Sequence, residues 1–170
     1  MKAAAIVFAG TMLVAAGASA QVTDPQIAKI VVTANQVDID AGKLAAAKAT
    51  NAEVKKFAQT MVTDHTGVNR QAVALVTKLK VTPADNDTAK SLYDGGVKNV
   101  TNLKTLKGTE FDKAYIDNEV AYHTAVIDAV DKVLIPGAQN ADLKALLVSV
   151  RPAFVAHLDH AKMIQASLSK

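Results

Sequence analysis

Apolar side chains recur along this chain with the 3.6-residue period of an α-helix, and no stretch keeps the two-residue alternation of a half-buried strand. The periodic stretches predict four long helices, over residues 25–49, 51–80, 109–134 and 140–168. Turn-forming pairs separate the first helix from the second at Thr50-Asn51 and the third from the fourth at Pro136-Gly137. The pattern therefore predicts an all-α protein.

The lengths of the connections predict how these helices pack. Short turns make neighbouring helices antiparallel, whereas the long connection over residues 81–108 lets the chain cross to the other end of a bundle. We expect this connection to be partly helical, with one or two short helices around Gly95-Gly96. The arrangement favours a ferritin-like four-helix bundle with a single crossover between the second and third helices. An up-down bundle with an extra short helix on one end is the alternative.

Two local features bear on the third and fourth helices. Thr109 and Asp112 have the spacing of a capping box, which predicts that the third helix starts there. Pro152 lies inside the fourth helix, and we expect it to kink or divide that helix because proline removes a backbone hydrogen bond.

The first 20 residues have the features of a cleaved signal peptide. Lys2 precedes an apolar run over residues 3–14, and Ala-Ser-Ala at residues 18–20 is the small-x-small pattern that signal peptidase recognises. We expect cleavage after Ala20, a single domain over residues 21–170, and a periplasmic or secreted location. No second apolar stretch is long enough to cross a bilayer, so we expect no transmembrane segment after cleavage.

Composition narrows the possible chemistry. The 170 residues include no cysteine, which excludes a disulfide scaffold, a cysteine nucleophile and a thiolate metal site. The formal net charge is +3, and the basic side chains are spread along the helices without an aromatic stacking platform. Nucleic acid is therefore not an expected partner.

Most charged residues of this chain fall on the outer faces of the predicted helices, but five ionisable residues lie on the apolar faces. They are Asp38 on the first helix, His65 on the second, Glu119 and His123 on the third, and His157 on the fourth. Counting residues from the turns, at ~1.5 Å each, places Asp38 level with His65 and Glu119 level with His157, with His123 one turn further away. All four helices thus direct an ionisable side chain into the core.

This cluster has two interpretations. Imidazole and carboxylate groups in an apolar core suit one divalent transition metal such as zinc, copper, iron or manganese. The same residues would instead form a structural polar core if Asp38 pairs with His65, and Glu119 pairs with His157 or His123.

Catalytic signals are weak. A di-iron centre needs Glu three residues before two of the histidines, and this chain has Val62 and Phe154 at those positions. No nucleophile elbow or phosphate-binding loop occurs either. An enzyme is the least favoured class, and we assign no catalytic residue.

Several short motifs resemble one bacterial family. They are Ala34-Asn35-Gln36 with Asp38, Val54-Lys55-Lys56-Phe57-Ala58, Met61-Val62-Thr63-Asp64-His65, Phe111-Asp112-Lys113-Ala114-Tyr115-Ile116 with His123, and His157-Leu158. In order and spacing this set is similar to the exported family called domain of unknown function 4142, often labelled "predicted outer membrane protein". The resemblance extends from about Asp24 to Leu168.

The resemblance implies a ferritin-like four-helix bundle and leaves the activity unassigned. The family's recurrent histidines fall here on His65, His123 and His157, while Asp38 stands where the family usually has Glu. Two function classes follow for this chain. One is an exported bundle that holds a divalent metal or small ligand, and the other is a structural or stress-related envelope protein. Peripheral association with the envelope and homo-oligomerisation remain open in both.

Overall fold

The structure, a computed structural model, describes residues 21–169, so the predicted signal peptide lies outside the described residues. Every regular element in that range is helical, which confirms the all-α prediction. The helices are α1 (Asp24–Lys48), α2 (Ala52–Leu79), α3 (Asp87–Thr105), α4 (Gly108–Ala129), a π-helical segment (Val130–Leu134), α5 (Ile135–Gly137) and α6 (Ala141–Leu168). None of these described helices combines the length and apolarity needed to span a membrane.

The long helices pack in pairs around one interior. α1 lies against α2 and α3, α4 lies against α6, and α2 also contacts α6. α1 and α4, by contrast, touch at few points. The helices therefore form a bundle, and its ferritin-like topology stays a prediction.

Asparagine side chains start several of these helices. Asn51 accepts hydrogen bonds from the backbone of Glu53 and Val54 at the start of α2, and Asn140 does the same at the start of α6. These side chains satisfy amide groups that have no partner inside the helix.

The capping box predicted at the start of α4 is wrong. α4 begins at Gly108, whose φ of +55° favours glycine. Asp112 instead accepts hydrogen bonds from the backbone of Thr50 and Asn51, and so fixes the turn between α1 and α2. α6 also continues undivided through Pro152.

The crossover forms one helix, α3, rather than two short ones. Gly96 lets it approach α1 closely, because a Cβ atom there would meet the Val37 side chain at 2.7 Å. Lys48 of α1 donates to the carbonyl oxygens of Leu103 and Lys104 at the C-terminal end of α3. The middle and the C-terminal end of α3 are thus held against α1.

The interior consists of two apolar halves. We call one the packed half; its buried residues are Ala41, Ala45, Ala49, Val54, Phe57, Ala58, Met61, Leu103, Phe111, Tyr115, Ile116, Ala161 and Ile164. We call the other the open half; its buried residues are Ile27, Ile30, Val31, Val68, Ala72, Ala89, Val130, Leu134, Ala138, Leu143, Leu147, Val150 and Phe154.

A polar layer separates the two halves on α1, α2, α4 and α6. Its buried residues are Asn35, Asp38, His65, Glu119, His123 and His157. Along α1, for example, the open-half residue Val31 precedes Asn35 and Asp38, and the packed-half residue Ala41 follows them. The fold thus places polar groups in the middle of an apolar bundle, where each needs a partner.

Candidate metal centre

All five predicted site residues lie in the polar layer. Relative exposure is 1% for Asp38, Glu119 and His123, 4% for His65 and 6% for His157. They come from α1, α2, α4 and α6, so the whole bundle must form before they meet.

The three histidines form one compact cluster. Their ring centroids are 5.2 Å apart for His65 and His157, 5.5 Å for His123 and His157, and 5.6 Å for His65 and His123. One ring nitrogen from each lies within 4.8 Å of the other two. Helical side chains lean toward the N-terminus of their helix, which brings His123 closer to His157 than residue counting predicts.

The carboxyl groups lie beside this cluster. Oδ2 of Asp38 lies 3.1 Å from Nε2 of His65 and 3.5 Å from Nε2 of His123, without hydrogen-bond geometry. Oε2 of Glu119 lies 3.5 Å from Nδ1 of His123. Ligand atoms of Asp38, Glu119 and His123 form a second group within 4.8 Å of one another.

A hydrogen-bond chain fixes the protonation of His65. Asn35 donates through Nδ2 to the Val31 carbonyl oxygen at 2.7 Å, so its Oδ1 is the acceptor that faces His65 Nδ1 at 2.7 Å. Nδ1 of His65 must therefore carry the proton. Its Nε2 is left with a bare lone pair.

The same logic applies to the other two rings. Nδ1 of His123 donates to the Glu119 carbonyl oxygen at 3.1 Å, and Nε2 of His157 donates to Oδ2 of Asp64 at 2.9 Å. Because both partners are acceptors, the opposite nitrogens, Nε2 of His123 and Nδ1 of His157, carry lone pairs.

The atoms left over are buried and have no hydrogen-bond partner among the described residues. They are Nε2 of His65, Nε2 of His123, Nδ1 of His157, both carboxyl oxygens of Asp38 and Oε2 of Glu119. An unsatisfied buried polar atom costs about 1–3 kcal/mol, and native proteins contain few of them. Such a concentration in one layer marks a place that a ligand can fill.

Burial also sets the charges. It lowers the pKa of His65 to about 2 and that of His123 to about 4, with the neighbouring imidazoles adding to both shifts. Burial lowers the pKa of His157 as well, although hydrogen bonding to Asp64 opposes that shift. All three rings are therefore neutral near pH 7, which is the form that binds metal ions.

The carboxyl groups shift in the opposite direction. Burial raises the pKa of Asp38 to about 7, and burial together with the nearby Asp38 charge raises that of Glu119 well above its usual range. A divalent cation would favour the ionised form of either group, since it supplies the missing positive charge.

The structure agrees with one of the two alternative pairings expected for Glu119. Glu119 lies beside His123 rather than His157, and the partner of His157 is Asp64. Asn35 lies within the apolar stripe of α1 and is buried there, but it is an uncharged amide. A search of the helical faces for ionisable residues therefore does not find it. Asp64 directly precedes His65 and is exposed on its own helix, so periodicity gives no sign that it reaches α6.

Comparison with known proteins adds a family and a fold. A family model described as "Domain of unknown function (DUF4142)" matches residues 9–164. A solved structure described as "CopM in the Cu(II)-bound form" is similar, with 15% sequence identity and a TM-score of 0.66 over 86% of this chain and 98% of that one. No curated protein matches the sequence. The structural similarity establishes a shared fold.

Proposed function

The chain belongs to the family described as a domain of unknown function, DUF4142, and we propose that this member binds one divalent transition-metal ion, copper(II) by preference, in its buried histidine cluster. The observation that carries the proposal is the set of three unprotonated ring nitrogens on His65, His123 and His157, buried and without partners. A single cation can satisfy three lone pairs at once, and no donor among the described residues does so.

The available donor atoms favour copper(II) or zinc(II) over harder ions. Three imidazole nitrogens and a carboxylate oxygen suit both metals, and divalent copper binds such sites more tightly than other first-row ions. The similar CopM structure is described as Cu(II)-bound, which supports the same preference.

Each residue has a distinct role in this proposal. His65, His123 and His157 bind the ion, and Asp38 supplies an anionic oxygen from between His65 and His123. Glu119 provides a second carboxyl group beside His123.

Two further residues orient the ligands. Asn35 and Asp64 each accept the outward N–H of one ring and so hold its lone pair toward the ion. They are positioning residues rather than ligands.

We also propose that the ion is bound outside the cytoplasm. The charged start, apolar run and Ala-Ser-Ala sequence of residues 1–20 support export by a cleaved signal peptide. Edman sequencing of the exported protein should begin at Gln21, and an N-terminus at Met1 would contradict export by cleavage.

The test of metal binding uses residues 21–170 purified without a chelator or affinity tag. Elemental analysis and copper(II) titration, followed by calorimetry and electron paramagnetic resonance, should give one copper per chain with nitrogen hyperfine structure. His65→Ala and His157→Ala should abolish this stoichiometric site. Asp64→Ala should weaken the affinity for copper(II) by about 10–100-fold, because it removes the acceptor that orients the His157 ring and leaves the three ligands in place.

The matched control is His160→Ala. His160 is the chain's fourth histidine and lies outside the cluster, where its ring packs edge-on against Phe57. It should leave copper binding intact. If the cluster is only a structural polar core, the cluster variants will lower stability in EDTA and the unsubstituted protein will take up no stoichiometric metal.

A further inference from the structure

A buried metal centre needs a route by which the ion enters, and the bundle offers two approaches. One is an apolar cleft of about 320 Å³, whose walls come mainly from α1, α3, α4 and α6. The other is the interface between α2 and α6, where the hydrogen bond from His157 to Asp64 lies. The two approaches reach different members of the histidine cluster.

The cleft ends at groups that are shielded from it. Asp38, His65 and His123 line its inner end, but their unpartnered atoms are buried from solvent. The rest of the lining is mostly aliphatic, so it offers few groups that could replace the water ligands of an approaching ion. Tyr122 of α4 also spans the gap to α1 by donating its hydroxyl to the Ala34 carbonyl oxygen at 2.9 Å. A hydrated cation would therefore lose solvation in the cleft and gain little there.

The α2–α6 interface reaches the ligand that lies nearest the surface. The relative exposure of His157, 6%, is the highest among the five site residues. The Asp64 side chain that accepts from its Nε2 at 2.9 Å is 44% exposed. The acceptors of the other two rings, the Asn35 side chain and the Glu119 carbonyl oxygen, belong to buried residues. His157 is thus the one ring of the cluster whose acceptor solvent reaches.

The three rings therefore differ in what their movement costs. If His65 or His123 turned away from its acceptor, a polar N–H group would lose its partner in the interior. When His157 turns outward, water can replace both the acceptor of the ring and the donor to Asp64. Helical side chains lean toward the N-terminus of their helix, so the ring turns over Ala153, a small exposed residue one turn earlier on α6.

We propose that His157 is the gate of the metal centre: its ring turns outward at the α2–α6 interface and lets the ion pass from Asp64 to His65 and His123. The proposal rests on the proposed metal-binding function and names the route by which that site is filled. Asp64 then has a second role besides orienting the ring, because its exposed charge attracts a cation to the point where the ring turns.

The first test needs no metal. The protein of residues 21–170 is labelled with nitrogen-15, and the exchange of its imidazole N–H protons with water is followed by nuclear magnetic resonance in EDTA. The Nε2–H of His157 should exchange at least about tenfold faster than the Nδ1–H of His65, because outward turning of one ring needs a smaller opening than exposure of the interior.

The second test follows copper(II) uptake and release by stopped flow. Ala153→Leu fills the space into which the His157 ring turns. It should slow association and dissociation alike, by about fivefold or more, and leave the equilibrium affinity unchanged. Ala129→Leu is the matched control, since it adds the same volume to the cleft instead. It should change neither rate.

A change of charge tests the second role of Asp64. Asp64→Asn keeps an oxygen that can accept from His157 but removes the negative charge. Association of copper(II) should therefore slow by about threefold or more at low ionic strength, and the difference should shrink as salt is added. Asp159→Asn removes the same charge from an exposed residue two positions along α6 from His157, on the other side of that helix. It should leave the association rate unchanged.

Each adverse outcome has a separate meaning. Copper(II) uptake that is slowed by Ala129→Leu and not by Ala153→Leu assigns the route to the cleft, which overturns this inference and leaves the metal site standing. Equal exchange rates for the His157 and His65 protons overturn it independently of copper. A protein that takes up no copper(II) overturns the proposed function and this inference together.

Discussion

The packed half and the open half are built from the same helices but differ in how densely they pack against the polar layer between them. In the packed half, Phe57, Phe111 and Tyr115 are fully buried, and Leu103 of α3 is buried with them. In the open half, mostly aliphatic residues and small alanines leave a cleft that extends to Asp38. The bundle therefore packs densely on one side of its polar groups and leaves a cleft on the other, while the polar groups themselves stay buried.

The largest effect is expected from the same substitution made in each half. Phe57→Ala should destabilise the metal-free protein by about 3–5 kcal/mol, because it leaves a cavity that dense surroundings cannot fill. Phe154→Ala should cost less, since Phe154 already borders the cleft and its removal enlarges an existing space. Urea unfolding in EDTA measures both losses. Equal losses would mean that the two halves do not differ in packing.

The next effect comes from Asp38, which lies where the cleft meets the polar layer. Its pKa is raised to about 7 by burial, so its stabilising contribution is present below about pH 4 and is lost as the pH rises through 7. Asp38→Asn removes this loss. Between pH 4 and pH 8, the free energy of unfolding of the variant should therefore rise by up to about 4 kcal/mol relative to that of the unsubstituted metal-free protein.

The comparison with Asp38→Asn reports on Asp38 together with Glu119, whose pKa the Asp38 charge helps to raise. His65 and His123 have the opposite sign, because their pKa values are lowered and their contribution is lost as the pH falls below about 6.5. Both histidines are present in both proteins and cancel in the difference. Parallel stability profiles from pH 4 to 8 would show that water enters the cleft and restores an ordinary pKa to Asp38.

Much of this architecture is predictable from the sequence, because it depends on periodicity. The all-α fold and the resemblance to the DUF4142 family are confirmed. The structure also brings together all five inward residues, since a polar side chain in an apolar stripe must face the interior whatever the exact packing. Their role as metal ligands stays a prediction.

Other features depend on distances that periodicity does not encode. An apolar stripe on α1 and another on α4 do not specify how closely the two helices approach, so the cleft was not predicted. The π-helical segment Val130–Leu134 keeps an apolar pattern close to that of an α-helix. Asp112 has the spacing of a local cap but instead contacts Thr50 in the turn between α1 and α2. In each case a tertiary contact decides the outcome.

The smallest effect is expected when the two halves are filled rather than emptied. Ala129→Leu adds volume to the cleft and should change the stability of the metal-free protein by at most about 1 kcal/mol, in the stabilising direction, because the added methyl groups enter space that already exists. Ala45→Leu adds the same volume where Ala45 is fully buried, and should destabilise by about 1–3 kcal/mol through overpacking. Thermal melts of the two variants in EDTA measure the contrast. A destabilised Ala129→Leu protein would mean that the cleft closes in solution, and the polar layer would then be sealed from both sides.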